Sequence, residues 1–471
     1  MGSGQVTDWQ GKHVTVAGLG VSGVPAAKVL RGLGAEVTVV NDGDGDRARA
    51  QADELRELGV TVRLGDGSTL PEGTGLVVTA PGWQPDKPLF TAARAAGVEI
   101  WGDVELAWRL RGPDAPPWLC VTGTNGKTTT TQMLASILTA AGLRTAAVGN
   151  IGVSLLDAVN GDYDVLAVEL SSYQLHWAPS LRAHSAAVLN LAPDHLDWHG
   201  SMEAYAADKG RVYEGNRVAC VYNVADKATE DLVREADVEE GCRAIGFTLG
   251  TPGPSQLGVV EGILVDRAFV ENRQQNAQEL AEVADVNPPA PHNIANALAA
   301  AALARAYGVP AKAVRDGLRA FTPDAHRIAH VADVDGVSYV DDSKATNTHA
   351  AQASLAAYES VVWIAGGLAK GAAFDELVAG SAERLRGVVL FGADRALIRE
   401  ALARHAPQVP VVDLDRTDTG AMLQAVREAQ RLATEGDTVL LAPACASMDM
   451  FTNYNQRGDA FAQAVRELAG T

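Results

Sequence analysis

No CxxC pair occurs among the four cysteines of this chain, Cys120, Cys220, Cys242 and Cys445, and their wide spacing offers neither a disulfide framework nor a zinc knuckle. They are expected to be reduced and structural. Positive charge is also short. Against 58 Asp and Glu stand 39 Lys and Arg, and the formal net charge of -19 repels phosphate backbones and anionic membrane surfaces. Nucleic acid is thereby excluded as a general partner, and a phosphate ligand must be captured by a local site. No apolar run approaches the ~20 residues needed to cross a bilayer, so membrane insertion is not expected. The opening MGSGQVTDWQ lacks the basic-then-apolar order of a secretory signal, which makes the cytoplasm the expected compartment.

What is present is the composition of a fully folded protein, 47% hydrophobic and 21% charged. At 471 residues the chain exceeds one compact core, and its pattern divides into three α/β units, 1–113, 114–326 and 327–471. The first opens as β-α-β: an apolar run from His13 to Gly18, a Gly-rich turn, an Ala-rich helix to Gly32 and a second apolar run from Glu36 to Val40. Apolar runs at 76–79 and 98–100 extend a parallel sheet, and RGPDAPP at 111–117 reads as a linker. The second unit starts with a strand at 118–122, continues with strands at 165–170 and 186–191, and carries a long helix from His292 to Tyr307. Its stretch 226–290 holds short β-like pieces, expected to form a small extra sheet. In the third unit a hairpin turning at Asp335-Gly336 precedes strands at 361–365, 387–391 and 438–441 that alternate with helices.

The chemistry-bearing residues cluster where apolar strands stop, which is where open α/β sheets form ligand sites. Gly18-Leu19-Gly20-Val21-Ser22-Gly23, with Asp42 further on, matches a dinucleotide fingerprint. It fits equally a tight strand-helix turn without nicotinamide, or a turn taking another diphosphate such as that of a UDP-sugar. Thr122-Gly123-Thr124-Asn125-Gly126-Lys127-Thr128-Thr129 is sharper. Its N–H groups can wrap a phosphate, Lys127 supplies a mobile positive charge, and a Thr128 or Thr129 hydroxyl can reach a divalent cation, although two residues rather than the usual four separate its glycines. Glu169 closes an apolar run, where an acid is costly unless a charge or a metal meets it. His195, in Pro193-Asp194-His195-Leu196-Asp197, suits a metal ligand, a base or a structural imidazole. Lys209 by itself reads as a solvated surface lysine.

Together these motifs resemble the Mur ligase superfamily over essentially the full length. TGTNGKTT is shared across the superfamily and with folylpolyglutamate synthetases. GNIG at Gly149, ELSSYQL at Glu169, HNIANALAA at His292, DDSKATN, GGLAKG and PACASMDMF resemble its D-glutamate-adding branch, with DSKATN and PACASMDMF the decisive pair. The resemblance implies a Rossmann-like first domain for a UDP-substrate, a P-loop ATPase-like central domain and a Rossmann-like third domain for the amino acid. It implies an ATP-dependent ligase, acting as a monomer, that joins D-glutamate to UDP-N-acetylmuramoyl-L-alanine through an acyl phosphate with two Mg2+ ions. On this reading Gly123, Thr124, Asn125, Gly126, Lys127, Thr128, Thr129, Asn293, Arg327 and Asp342 bind ATP. Lys127, His195 and Lys209 are catalytic, and Thr128, Glu169, His195 and a carbamylated Lys209 hold metal. Val21, Ser22, Asp42 and Asn150 contact the UDP-substrate, while Lys344, Thr346, Lys370, Ser447 and Tyr454 position D-glutamate. The rival classes are a sister ligase for another amino acid and a nicotinamide-dependent oxidoreductase built on GLGVSG, which has no use for GTNGKTT.

Overall fold

The computed structural model describes residues 8–416 and 418–470. Three sheets follow one another along the chain. The first contains β1 (His13–Ala17), β2 (Glu36–Asn41), β3 (Thr61–Leu64), β4 (Leu76–Thr79) and β5 (Glu99–Gly102), all parallel in the order β3-β2-β1-β4-β5. Its order reverses between β1 and β4, and the Gly18 turn leaves β1 at that switch point. Val14, Val16, Val77 and Val78 are buried in it, as near-continuous apolar runs of a sheet covered on both faces should be.

The second sheet has nine strands, in the order β14-β13-β12-β11-β10-β9-β6-β8-β7. They are β6 (Trp118–Thr122), β7 (Thr145–Gly149), β8 (Val165–Glu169), β9 (Ser185–Val188), β10 (Ala219–Asn223), β11 (Arg243–Phe247), β12 (Gln256–Val260), β13 (Ile263–Asp266) and β14 (Gln278–Glu282). The strands from β6 to β12 pair in parallel, and β12, β13 and β14 form an antiparallel meander. The short β-pieces read between 226 and 290 therefore continue the central sheet. β9 ends at Val188, three residues before the apolar pattern does, because Leu189, Asn190 and Ala192 turn away to brace the neighbouring Gly-rich loop.

The third sheet runs β15-β16-β20-β17-β18-β19, from β15 (Ala329–Val334), β16 (Val337–Asp341), β17 (Val361–Gly366), β18 (Leu385–Phe391), β19 (Val411–Asp413) and β20 (Thr438–Leu441). β15 and β16 make the antiparallel hairpin, and Asp335 and Gly336 both take positive φ, 53° and 76°, the requirement of its two-residue turn. The other pairs are parallel. β20 inserts between β16 and β17, so the loops following these three strands emerge side by side.

Packing gathers the described residues into two compact units, one reaching Val286 and including Ile294–Phe321, the other Asn287–Asn293 with the chain from Thr322 onward. Within the first, Leu30, Trp101 and Leu106 share one apolar core with Trp118, Leu166 and Leu175. The expected linker 111–117 thus joins two sheets inside one packed unit. It is pinned there by Arg111, which donates to the carbonyls of Ala115 and Pro116 and lies 4.1 Å over the Trp108 ring. No helix among the described residues is long and apolar enough to cross a membrane. All four cysteines are free.

Candidate active site

The loop from Thr122 to Lys127 links β6 to the helix Lys127–Ala140, and its shape depends on two glycines. Gly123 (φ 149°) and Gly126 (φ 85°) take conformations that side chains rarely adopt, and a Cβ on Gly126 would come within 2.4 Å of Asn296 Oδ1. The segment after β9 holds the loop from outside. The Asn190 amide accepts from Asn125 N–H at 2.9 Å and donates to Asn125 O at 3.1 Å, while the Thr124 hydroxyl meets Ala192 and the Tyr205 hydroxyl. The N–H groups of the first helical turn have no intrahelical acceptor, which makes this end an anion site. Lys127 Nζ donates to the carbonyls of Gly123 at 2.9 Å and Thr124 at 2.8 Å.

Around this loop stand the acid and the lysine singled out from sequence. Glu169 ends β8 and is 1% exposed; its Oε1 accepts from Asn150 Nδ2 at 2.8 Å, and its buried Oε2 has no hydrogen-bond partner among the described residues. Lys209, on the helix Met202–Gly210, is 2% exposed, so the surface reading fails. Its Nζ donates to Gly123 O at 2.9 Å and lies over the Tyr205 ring. Burial, then the positive charge of Lys127, pushes this ammonium well below its ordinary range. His195 takes a left-handed conformation (φ 55°) at the start of a short helix, which turns its ring against Tyr173. Burial and the two lysines lower its imidazole, favouring the neutral form that can ligate a metal.

One group had no sequence signal beyond its neighbour. Asp208, adjacent to Lys209, accepts from His176 Nδ1 at 2.9 Å and His199 Nδ1 at 3.0 Å, and pairs ionically with Arg211 Nε at 3.1 Å. Burial alone would raise this carboxyl, but the bonds from the two imidazoles outweigh it and hold it at about 2. The network fixes the helix that aims Lys209. Among the described residues no ready-made group of three or more His, Cys, Asp or Glu side chains forms a metal cage, and the expected set relies on a threonine and a lysine as well.

At the first sheet, a Cβ on Gly23 would meet Gly18 O at 1.9 Å, the close turn expected of a GxGxxG. Ser22 Oγ donates to the half-buried Asp103 at 2.9 Å, Val21 is 85% exposed, and Asp42 pairs with Lys87 at 2.6 Å. Asp42 also lines a cavity of about 500 Å³ with Trp83, Gln84, Lys87, Tyr173 and Trp198. Trp83 comes from a loop, and Tyr173 and Trp198 from the short helices Ser172–His176 and Leu196–His199, too short to show a period. Asn150 sits on Glu169 rather than in this cavity.

In the second unit, the loops after β16, β17 and β20 bring the remaining candidates to one sheet edge. Lys344 Nζ lies 3.9 Å over the Tyr454 ring. Leu368 and Ala446 exchange two backbone bonds of 2.9 Å, tying the loop that carries Lys370 to the one that carries Ser447. Thr346 N–H donates to Lys344 O, and Ser447 is buried. Burial raises the Asp342 carboxyl to about 6, against the hydrogen bond from Ser354 and the charge of Arg327. Asn293 is buried and donates to Pro288 O at 3.2 Å.

Against known proteins, the Mur ligase middle domain matches residues 121–304 and the Mur ligase glutamate ligase domain residues 326–445. A pyridine nucleotide-disulphide oxidoreductase model matches residues 13–78, which is the Gly-rich β-α-β with the strands up to β4. The chain belongs to the Mur ligase family. Its curated relatives in that family include the UDP-N-acetylmuramoylalanine--D-glutamate ligases of Streptomyces coelicolor, 87% identical over 98% of this chain and 99% of that one, and of Thermobifida fusca, 61% identical over 98% and 99%. Among solved structures, MurF ligase from Thermotoga maritima in complex with ADP shares the fold at a TM-score of 0.57 and 17% identity, covering 92% of this chain and 96% of that one.

Proposed function

We propose that this enzyme joins D-glutamate to UDP-N-acetylmuramoyl-L-alanine at the expense of ATP, giving ADP and phosphate, as a step of peptidoglycan precursor synthesis. The observation that carries the reading is full-length identity of 87% to a ligase of that name, in a chain whose Gly-rich loop gathers two lysines and a buried glutamate.

A carboxylate is a poor acyl donor because its leaving group would be oxide. In the proposed reaction the alanyl carboxylate attacks the γ-phosphate of ATP, ADP leaves, and the amine of D-glutamate displaces phosphate from the resulting acyl phosphate with loss of a proton. Lys127 exchanges its loop carbonyls for phosphate oxygens and offsets charge on the transferring phosphoryl group, and the loop N–H groups from Gly123 to Thr129 hold the nucleotide. Asn293, Arg327 and Asp342 contact the rest of ATP. Val21, Ser22 and Asp42 border the UDP-moiety, and Lys344, Thr346, Lys370, Ser447 and Tyr454 hold the anionic amino acid through charge-assisted bonds.

The donor set fits Mg2+. The unpartnered, buried Oε2 of Glu169 needs a cation, and neutral His195 and the Thr128 hydroxyl supply further ligands. When bound, the ion screens phosphate charge. Lys209 fits carbamylation, because burial favours the neutral amine, which adds to CO2 and loses a proton to become a carbamate, replacing a cation by an anion beside Glu169. ATP and UDP-linked precursors are substrates of the cytoplasm. The test is phosphate release from ATP with UDP-N-acetylmuramoyl-L-alanine and D- or L-glutamate. Release that depends on the acceptor and on the D-isomer is expected, and its absence rejects the reading.

A further inference from the structure

Arg457 is fully buried, yet among the described residues no carboxylate hydrogen-bonds to it. Its guanidinium donates through Nε to Ser343 Oγ at 3.0 Å, through Nη2 to Ser343 O at 2.8 Å and through Nη1 to Cys445 O at 3.1 Å. Ser343 Oγ in turn donates to Tyr454 O at 2.8 Å, at the start of the helix Tyr454–Ala469 that carries Arg457. Burial lowers the group to about 10, so it keeps its charge at neutral pH, with Cys445, Asp449 and Asp341 as the nearest groups of opposite tendency. A buried cation that bonds only to neutral oxygens is costly, and a fork of N–H donors is suited to fixing several at once.

What those oxygens have in common is their position in the chain. Ser343 directly precedes Lys344, Cys445 lies two residues before Ser447, and Tyr454 is itself a candidate contact. Two segments assigned to the amino acid thus converge on one side chain that faces none of the solvent, and the third, the start of its own helix, is tied to them through Ser343 Oγ. The next residue on the helix, Gly458, lets His326 pack directly against it, since a Cβ there would lie 2.1 Å from His326 Nδ1.

Resting on the ligase reading above, we infer that Arg457 is a positioning residue for D-glutamate: it sets the spacing of the Lys344, Ser447 and Tyr454 segments. A lysine keeps the charge but cannot hold three acceptors in fixed directions, and a methionine keeps neither.

The test is steady-state kinetics of the full chain, with each KM measured separately. Arg457→Met should raise KM for D-glutamate by at least about ten-fold, the scale of loss when groups shift by a fraction of an ångström to an ångström. KM for ATP and for the UDP-acceptor should stay near wild type, and Arg457→Lys should fall between. Should the Arg457 variants not fold, Ser343→Ala, which deletes one shared hydroxyl, decides instead, with an expected rise of about five-fold in the same constant. An unchanged KM for D-glutamate, or all three constants rising together, overturns the inference. A wild-type enzyme without glutamate-dependent turnover would instead reject the ligase reading.

Discussion

Lys127 and Lys209 donate to the same carbonyl oxygen, that of Gly123, each at 2.9 Å. Two amines on one oxygen, beside a buried glutamate with an unpartnered Oε2, form a site whose charges are arranged for a group that arrives carrying several negative ones. Lys127→Ala removes the amine nearest the phosphate loop. Turnover should fall by about 100-fold or more, the loss typical of deleting a preorganised electrostatic contact. The far-UV circular dichroism and melting temperature should hardly change, because the bonds of Lys127 Nζ to the carbonyls of Gly123 and Thr124 stay within its own loop. Near-normal turnover would remove Lys127 from the mechanism.

Lys209→Ala opens a space beside Gly123 O where the carbamate would lie. Activity should drop and then return in part when a short carboxylic acid is added, since the acid restores a carboxylate to that place. Wild-type enzyme stripped of CO2 and bicarbonate should lose activity and regain it with bicarbonate. If neither treatment has an effect, Lys209 acts as an amine, and its depressed affinity for protons is a consequence of burial alone.

Asn150 separates two roles. The resemblance assigns it to the muramoyl substrate, whereas the geometry puts its Nδ2 on Glu169 Oε1 at 2.8 Å. A residue that orients a metal-holding carboxylate typically contributes about 10- to 100-fold to metal affinity or activity. Asn150→Ala should therefore increase the Mg2+ concentration for half-maximal activity within that range. A rise confined to KM for the UDP-acceptor would assign Asn150 to the substrate alone.

Much of this was readable before any coordinates, for a physical reason. Apolar strands interrupted by Gly, Lys and hydroxyl residues announce ligand loops, and β6, β16, β17 and β20 end where the motifs begin. Side chains that act from a distance were not readable. Asp208, His176 and His199 meet across 32 and 9 residues of sequence, and Arg457 reaches back 114 to Ser343. Periodicity reports which face of an element is buried, but it carries no information about which buried polar groups find one another. The edge strand β7 gives no such signal, because Thr145–Gly149 is Ala-rich and buries only Val148, whereas β6 and β8 are buried throughout. The loop of Trp83 and the one-turn helix of Trp198, which line one cavity, likewise have no period to detect.

His326 provides a pH-dependent contribution to the stability of the second unit. Its Nδ1 lies 2.6 Å from Asp341 Oδ2 and its Nε2 3.5 Å from Asp459 Oδ1, and the bond it donates to Asp341, against the effect of burial, raises the imidazole above 6.5. A folded-state value above the unfolded one means that protonation favours the folded form. The stabilisation is complete below about pH 6.5, where both states carry the proton, and is lost as pH rises through the higher folded-state value. His326→Gln removes the titration. Urea midpoints measured between about pH 5.5 and 8.5 should show wild type losing its advantage over this variant as pH increases. Parallel curves would mean that the His326 pair is not proton-linked to folding. A gap that widens with pH would reverse the sign and make the neutral imidazole the stabilising form.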